Sequence, residues 1–308
     1  ASTKSSRCAT NKPMPSVLWL PARRHLGELA EQVPALRRVL STATRQADQG
    51  GGATALMSDV FDALPSPMPA AALTRRVDAP DDCAGRWLRA DPCHLRVEIA
   101  GVRMLACSDL VLSPEEVAGL ASAVRPLFDD AGWRFDAAQP KRWYAQPETA
   151  HPPIGGDAPE AVLGAYIDTA LPQGEAGRAT RRWLNELQMA LHDHPLNHAR
   201  RERGLPEVNS LWLHGDGAVL SSLSARVDAV WSQDALVLGC AALAGVHESD
   251  LLSSRRLLID ARLGDDASAR HVAKVLSRGE SIDISLASGE RFAWRPWHRL
   301  RFWRGEPQ

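Results

Sequence analysis

The chain has 308 residues, of which 44% are hydrophobic and 24% charged, and its formal net charge is -1. That length accommodates two domains or one large one with an ample core, and the composition excludes a disordered or fibrous chain. The near-neutral charge supplies no global field toward nucleic acid or an anionic membrane.

No apolar run reaches the ~20 residues that a membrane-spanning helix needs, and no signal-peptide pattern is present. The five cysteines are odd in number and show no CxxC spacing, which fits a reducing cytoplasm better than a disulfide framework. Ten Trp outnumber the two Tyr and five Phe; each buries a large area and needs one N–H partner, so they are expected to anchor separate core patches.

In chain order, residues 1–13 are polar and patternless and read as an upstream extension ahead of Met14. "SVLWLP" is an apolar run stopped by Pro21 and reads as a buried strand. "LGELAEQVPALRRVLSTA" carries helical spacing with a break at Pro34. "RQADQGGGA" is a loop, and the Pro-rich "ALPSPMPAAAL" cannot form a central element. Residues 87–112 alternate like strands around a turn at Ala100-Gly101, with Asp91-Pro92 read as a further turn. Ser113, Pro114 and Glu116 then open a helix as N-cap, N1 and the N3 partner of a capping box.

"WRFDAAQPKRWYAQ" reads as two short strands, and the Pro/Gly-rich "PETAHPPIGGD" as a domain boundary dividing 14–150 from 151–308, with the two parts packing as one domain as the alternative. Gly177 to His194 is the most helical stretch, with Trp183, Leu184, Leu187 and Leu191 as its buried stripe. Asn185, Gln188 and His192 fall on another face, and Pro195 ends the helix. "NSLWLHG" reads as a strand entering a Gly turn, and "ALVLGCAALAGV" as an apolar strand entering a small-residue helix. "SIDISLASGERFAWRPWHRLRFW" reads as a hairpin through "ASGE" followed by a basic, aromatic terminal strand. Strands alternating with helices predict an α/β architecture, or α+β, built on a mixed sheet flanked by helices.

"LHDHPLNHARRERGLPEVNSLWLHGDG", residues 191–217, concentrates the candidate chemistry. His192 and His194 point about 200° apart on a continuous helix, so they share an ion only if the helix frays at Asp193. The spacing lacks HxxxH, HExxH and Cys pairs. A metal set of His192, Asp193, His194 and His214, holding manganese or zinc, is the alternative to no cofactor at all. An anion site is better motivated. Arg200, Arg201 and Arg203 are permanently charged planar donors. Gly215 and Gly217 could shape a backbone nest, and Asn209 could orient a ligand oxygen.

The segment from Trp183 to Gly217, with "WLRADPCHL" at 87–95 and "RFWRGEP" near the end, resembles the RpfE-type regulatory proteins of proteobacteria. Part of the central block is also similar to archaeal-type cofactor-independent phosphoglycerate mutases, members of the alkaline-phosphatase-like metalloenzymes. That similarity implies a first strand ending in a metal-binding Asp-Gly, a Ser nucleophile and a late Asp-His-x-Thr-type metal motif. Here Pro21 and Ala22 follow the first strand, and no such late motif appears. The chain also carries His214 where the regulatory family has Trp and Asp216 where it has Gly.

The resemblance therefore implies a degenerate relative of that fold: a cytoplasmic, non-catalytic regulatory or ligand-binding protein, with a divergent metal-dependent phosphomutase or phosphatase as the alternative. Asn185, Glu186, His192, His194, Asn197, Arg201, Asn209, His214 and Asp216 are the expected lining of a surviving pocket. Its occupant would be a small anion; a regulatory protein is the other expected partner. No Walker A loop, GxGxxG or G-x-S-x-G elbow is present. Cys93 and His94, adjacent on a strand, face opposite sides and form no dyad. The Arg/Trp-rich terminal stretch reads as an edge strand rather than a nucleic-acid surface.

Overall fold

The computed structural model describes residues 15–50, 53–147, 155–217, 220–251 and 253–301. The extension expected over 1–13, most of "PETAHPPIGGD" and the terminal "FWRGEP" lie outside them. The chain divides into two compact units, one from Ala1–Ala63 with Leu223–Gln308 and the other from Leu64–Ser222. Among the described residues no helix is long and apolar enough to cross a membrane.

The first segment supplies β1 (Ser16–Leu20), α1 (Leu26–Gln32), α2 (Pro34–Thr42), β2 (Thr44–Arg45), α3 (Ala53–Met57) and β3 (Phe61–Asp62). The second unit runs through α4 (Ala70–Asp78), β4 (Leu88–Glu98), β5 (Gly101–Cys107), α5 (Pro114–Asp130), β6 (Trp133–Gln139) and β7 (Arg142–Pro147). It continues with α6 (Pro159–Val162), α7 (Gly174–His192), α8 (Pro195–Glu202) and β8 (Ser210–His214). The chain then returns to the first unit with β9 (Ser224–Ala225), β10 (Ala229–Trp231), α9 (Ala235–Leu243), β11 (Leu257–Asp260), α10 (Asp266–Arg278), β12 (Ile282–Leu286) and β13 (Arg291–Trp294).

In the first unit the described residues form a six-stranded sheet in the order β10-β11-β1-β12-β13-β2. The pairs β10/β11, β11/β1 and β1/β12 are parallel, and β13 and β2 close one side antiparallel. β1 is buried along its whole length, as a strand flanked on both edges and covered on both faces must be. Leu18, Leu20, Ile259, Ile284 and Trp231 share a core with Leu29 and Leu36 of α1 and α2 and Val272 of α10. Pro34 sits at the first position of α2, where its missing N–H costs nothing. Asp265 caps α10 by accepting from Ser268 N–H at 2.8 Å, and Gly279 ends it at φ 65°.

The sheet of the second unit runs β5-β4-β7-β6, with β8 on β4. The predicted capping box is present: Ser113 accepts from Glu116 N–H and the Glu116 carboxylate from Ser113 N–H. α5 and α7 pack against this sheet through Leu120, Val124, Phe128, Leu187 and Leu191. α/β architecture with a mixed sheet flanked by helices is thus what the chain adopts.

Three expectations are corrected. The unit boundaries fall at 63/64 and 222/223 rather than near 150, because β8 pairs with β4 and carries the chain after residue 151 back into the earlier sheet. Asp91 and Pro92 are not a turn but lie inside β4, opposite Trp212 and Leu211 of β8. "ALVLGCAAL" is helix throughout, with Asp234 as its N-cap accepting from Leu236 N–H; the strand before it is the shorter "AVW".

Candidate functional site

α7 ends at His192 with Asp193 as its C-cap, and α8 begins at once because Pro195 occupies its first position. His194 is the cap between them, its Nδ1 accepting from Leu196 N–H at 3.3 Å. Asn185 is exposed on α7 and Glu186 is half-buried beside it. The side chains of His192 and Asp193 are 79% and 87% exposed. The helix does fray at Asp193, yet the alternative metal set is not assembled, since His214 lies buried elsewhere. Among the described residues no three His, Cys, Asp or Glu side chains gather closely enough to hold an ion.

The remaining block residues are engaged with the protein itself. Asn197 is fully buried, donating to Leu191 O and Val208 O at 2.9 Å each and accepting from Val208 N–H at 3.0 Å. Asn209 acts as one more rung of the sheet: its side chain accepts from Leu95 N–H at 2.8 Å and donates to Leu95 O at 2.7 Å. Arg200 is buried and donates to Pro206 O, Val111 O and Glu116. Arg203 shares Glu116, while Arg201 pairs with Glu207 and His198. Burial pushes the Glu116 carboxyl up, but the Ser113 N–H and the two guanidiniums outweigh it and hold it below the usual range.

The "HGDG" end does not form the expected nest. Gly215 takes φ 70°, and its carbonyl, not an N–H, faces the neighbouring helix, accepting from Ala71 N–H at 3.0 Å. Gly217 is not among the left-handed glycines and packs on Pro69. Asp216 is clamped by Arg86. The nine predicted residues therefore do not converge: His194, Asn197, Asn209, His214 and Asp216 hold segments of the fold together, and Asn185 and His192 face outward.

Two polar clusters escaped the sequence reading. In the second unit Asp91 is fully buried and accepts from Arg89 Nε at 2.8 Å and Nη2 at 2.6 Å. It also bonds Ser108 Oγ and His214 Nε2 at 2.8 Å each. Desolvation pushes its carboxyl up, but Arg89 and His214 outweigh burial and keep its pKa below the ordinary value. Ser108 holds a left-handed backbone, φ 62°, a conformation that persists in a non-glycine residue only where the surroundings over-determine it. Because Ser108 and His214 both bond the carboxylate, Asp91 stands between them. A Ser–His–Asp relay needs the imidazole in that place.

The other cluster lies at the carboxyl edge of the parallel strands in the first unit, where α/β sheets place their ligands. Asp260 at the end of β11 accepts from Ser232 Oγ at 2.7 Å, just beyond β10. Arg262 donates to Asp260 at 2.7 and 2.6 Å and to Asp234 at 2.9 Å, its guanidinium 5.4 Å from the Trp19 ring centroid. Desolvation opposes its charge, but the two carboxylates outweigh it and raise its pKa. The cue in the sequence was two polar residues at alternate positions after each short apolar run, Ser232 and Asp234 in "AVWSQD" and Asp260 and Arg262 in "LLIDAR".

Two-metal phosphoryl transfer needs several free carboxylates and histidines to hold two dications about 4 Å apart. At this edge β1 leads into Leu20, Pro21 and Ala22, which offer no ligating side chain, and one guanidinium fills the space between the two aspartates. The residues present do not fit that metal pair.

No family model matches the chain, and no curated protein matches it. Among solved structures it is similar to a cofactor-independent phosphoglycerate mutase from Thermoplasma acidophilum DSM 1728, with 15% identity, 91% of this chain and 89% of that chain covered, and a TM-score of 0.38. It is also similar to the PH0037 protein from Pyrococcus horikoshii, with 12% identity, 91% and 87% coverage, and a TM-score of 0.44.

Proposed function

We propose that this chain is a non-catalytic regulatory or ligand-binding protein of the RpfE type its central block resembles, acting in the cytoplasm on a mutase-like α/β scaffold. The observation that carries this reading is the Arg262 clamp: at the sheet edge, Asp234 and Asp260 are both paired with one internal cation. A dication would have to displace that guanidinium and leave it unpaired where its side chain is only 18% exposed, which costs several kcal/mol. In the arginine-rich block Arg200 is buried against Glu116 and main-chain carbonyls, whereas Arg201 and Arg203 pair with Glu207 and Glu116 but stay partly exposed, so any anion would meet those two. The partner is a small anionic ligand or a regulatory protein, not a membrane or a nucleic acid.

The test is metal analysis of protein purified without chelator, together with hydrolysis of a generic phosphomonoester in added Mn²⁺ or Zn²⁺. The expected result is no stoichiometric metal and no turnover above buffer. Bound transition metal with turnover that Asp260→Ala abolishes would establish the divergent phosphatase instead.

A further inference from the structure

Cys93 and Cys107 stand directly opposite each other on β4 and β5, just before the register shift between His94 and Leu95. The Cys93 carbonyl accepts from Asn209 N–H at 3.2 Å, so its main-chain polar groups face β8 and turn away from β5. Cys93 and Cys107 are therefore a non-hydrogen-bonded antiparallel pair. Such pairs bring Cα atoms to about 4.5 Å and side chains closest together, inside the ~4.4–6.8 Å that a disulfide spans. Both side chains lie on one face, in a core with Leu95, Met104 and Trp212. Both are free thiols, like Cys83 and Cys240. β5 stands at the end of the sheet order, Cys107 is its last residue, and the next residue is the left-handed Ser108 that bonds Asp91.

We propose that Cys93 and Cys107 are a redox-sensitive pair that closes into a reversible disulfide, stapling β5 to β4. The oxidant is a small-molecule disulfide such as oxidised glutathione. The Cys107 thiolate attacks one of its sulfurs and expels a thiolate, which takes up the proton Cys107 lost. The Cys93 thiolate then attacks the Cys107 sulfur and expels the second small thiol, which takes the proton of Cys93. Two protein thiols are oxidised, one small disulfide is reduced to two thiols, and no proton or electron is left over. Burial raises both thiols well above their ordinary value, so in the closed sheet the pair stays protonated and reduced. Oxidation proceeds when the end of β5 opens, and the bond then locks the hairpin that presents Val97 and Ile99 to solvent.

The experiment treats the full chain with oxidised glutathione, with and without urea below the unfolding midpoint, followed by alkylation and peptide mapping. The expected product is one internally linked pair, Cys93 with Cys107. Cys93 and Cys107 leave the alkylatable pool together, dithiothreitol reverses the change, and the rate rises with sub-denaturing urea. Hydrogen exchange of the β4–β5 peptides slows in the oxidised protein, and Cys107→Ser shows neither the link nor the slowing. The proposal is overturned if Cys83 forms mixed disulfides while Cys93 and Cys107 remain fully alkylatable. It is equally overturned if their link appears only in the globally unfolded chain, a readout of the wild type that does not depend on how any variant folds.

Discussion

Replacing Asn197 by Ala tests whether the central block is a folding element or a pocket lining. The substitution strips partners from Leu191 O, Val208 O and Val208 N–H, at a position with no solvent exposure. A buried polar group left without its partner costs about 1–3 kcal/mol. Three such groups, partly relieved by relaxation of the loop before β8, give about 4 kcal/mol, close to a thousandfold in the local folding equilibrium. Two units can unfold separately, so the loss is best read locally, by hydrogen exchange of the peptides spanning α8 and β8 in the full chain across a urea series. Asn185→Ala, on the exposed face of α7, is the control and should stay within about 0.5 kcal/mol. Asn197→Asp should be no better than Ala, since it turns an acceptor toward two carbonyls. Equal, small effects at 197 and 185 would refute the reasoning.

The Asp91 carboxyl has a folded pKa below its unfolded value of about 3.9. Its stabilisation is therefore present above pH ~4 and is lost as pH falls from there through the folded value. Asp91→Asn should lower stability at neutral pH by about 3 kcal/mol, because Arg89 loses its buried counter-charge. The variant should also flatten the acid limb of a stability-against-pH curve from urea melts; an unchanged acid limb would count against the cluster as a native-state charge network. Gly215→Ala places a Cβ 3.1 Å from both Ala70 Cβ and Ala71 N at φ 70°, and should cost about 1–3 kcal/mol. Gly204→Ala, at φ 68° with nothing nearby, isolates the backbone part and should cost the smaller share in the same melts. Equal losses would mean that the contact with α4 adds nothing.

What residues 113–116 and 183–191 specify is local, and it was legible. A Ser-Pro-Glu-Glu start can satisfy its own helix end, and a three-and-four spacing of Trp and Leu can bury only one helical face. The hairpin through "ASGE" and the one before Gly101, whose turn falls one residue earlier than expected at Ile99-Ala100, were legible for the same reason, since each partner lies a few residues away. α9 misled because a continuous apolar run carries no period; a helix and a buried strand read alike there. Asp91-Pro92 misled because its turn chemistry is overruled by pairing with β8, whose His214 is 123 residues distant.

The sequence by itself determined the class of the fold, the positions of its capped helices and tight hairpins, and the absence of the terminal metal motifs its resemblance implies. Only the tertiary structure decided what the conspicuous block is for. Asn197 and Asn209 serve main-chain groups of Val208 and Leu95, and Arg200 is buried against Glu116. It alone placed Arg262 between Asp234 and Asp260. The physical reason is that a polar side chain's role depends on which groups it meets once water is excluded. Those groups come from strands and helices far apart in the chain, brought together by the packing of apolar faces that carry no record of polar partners.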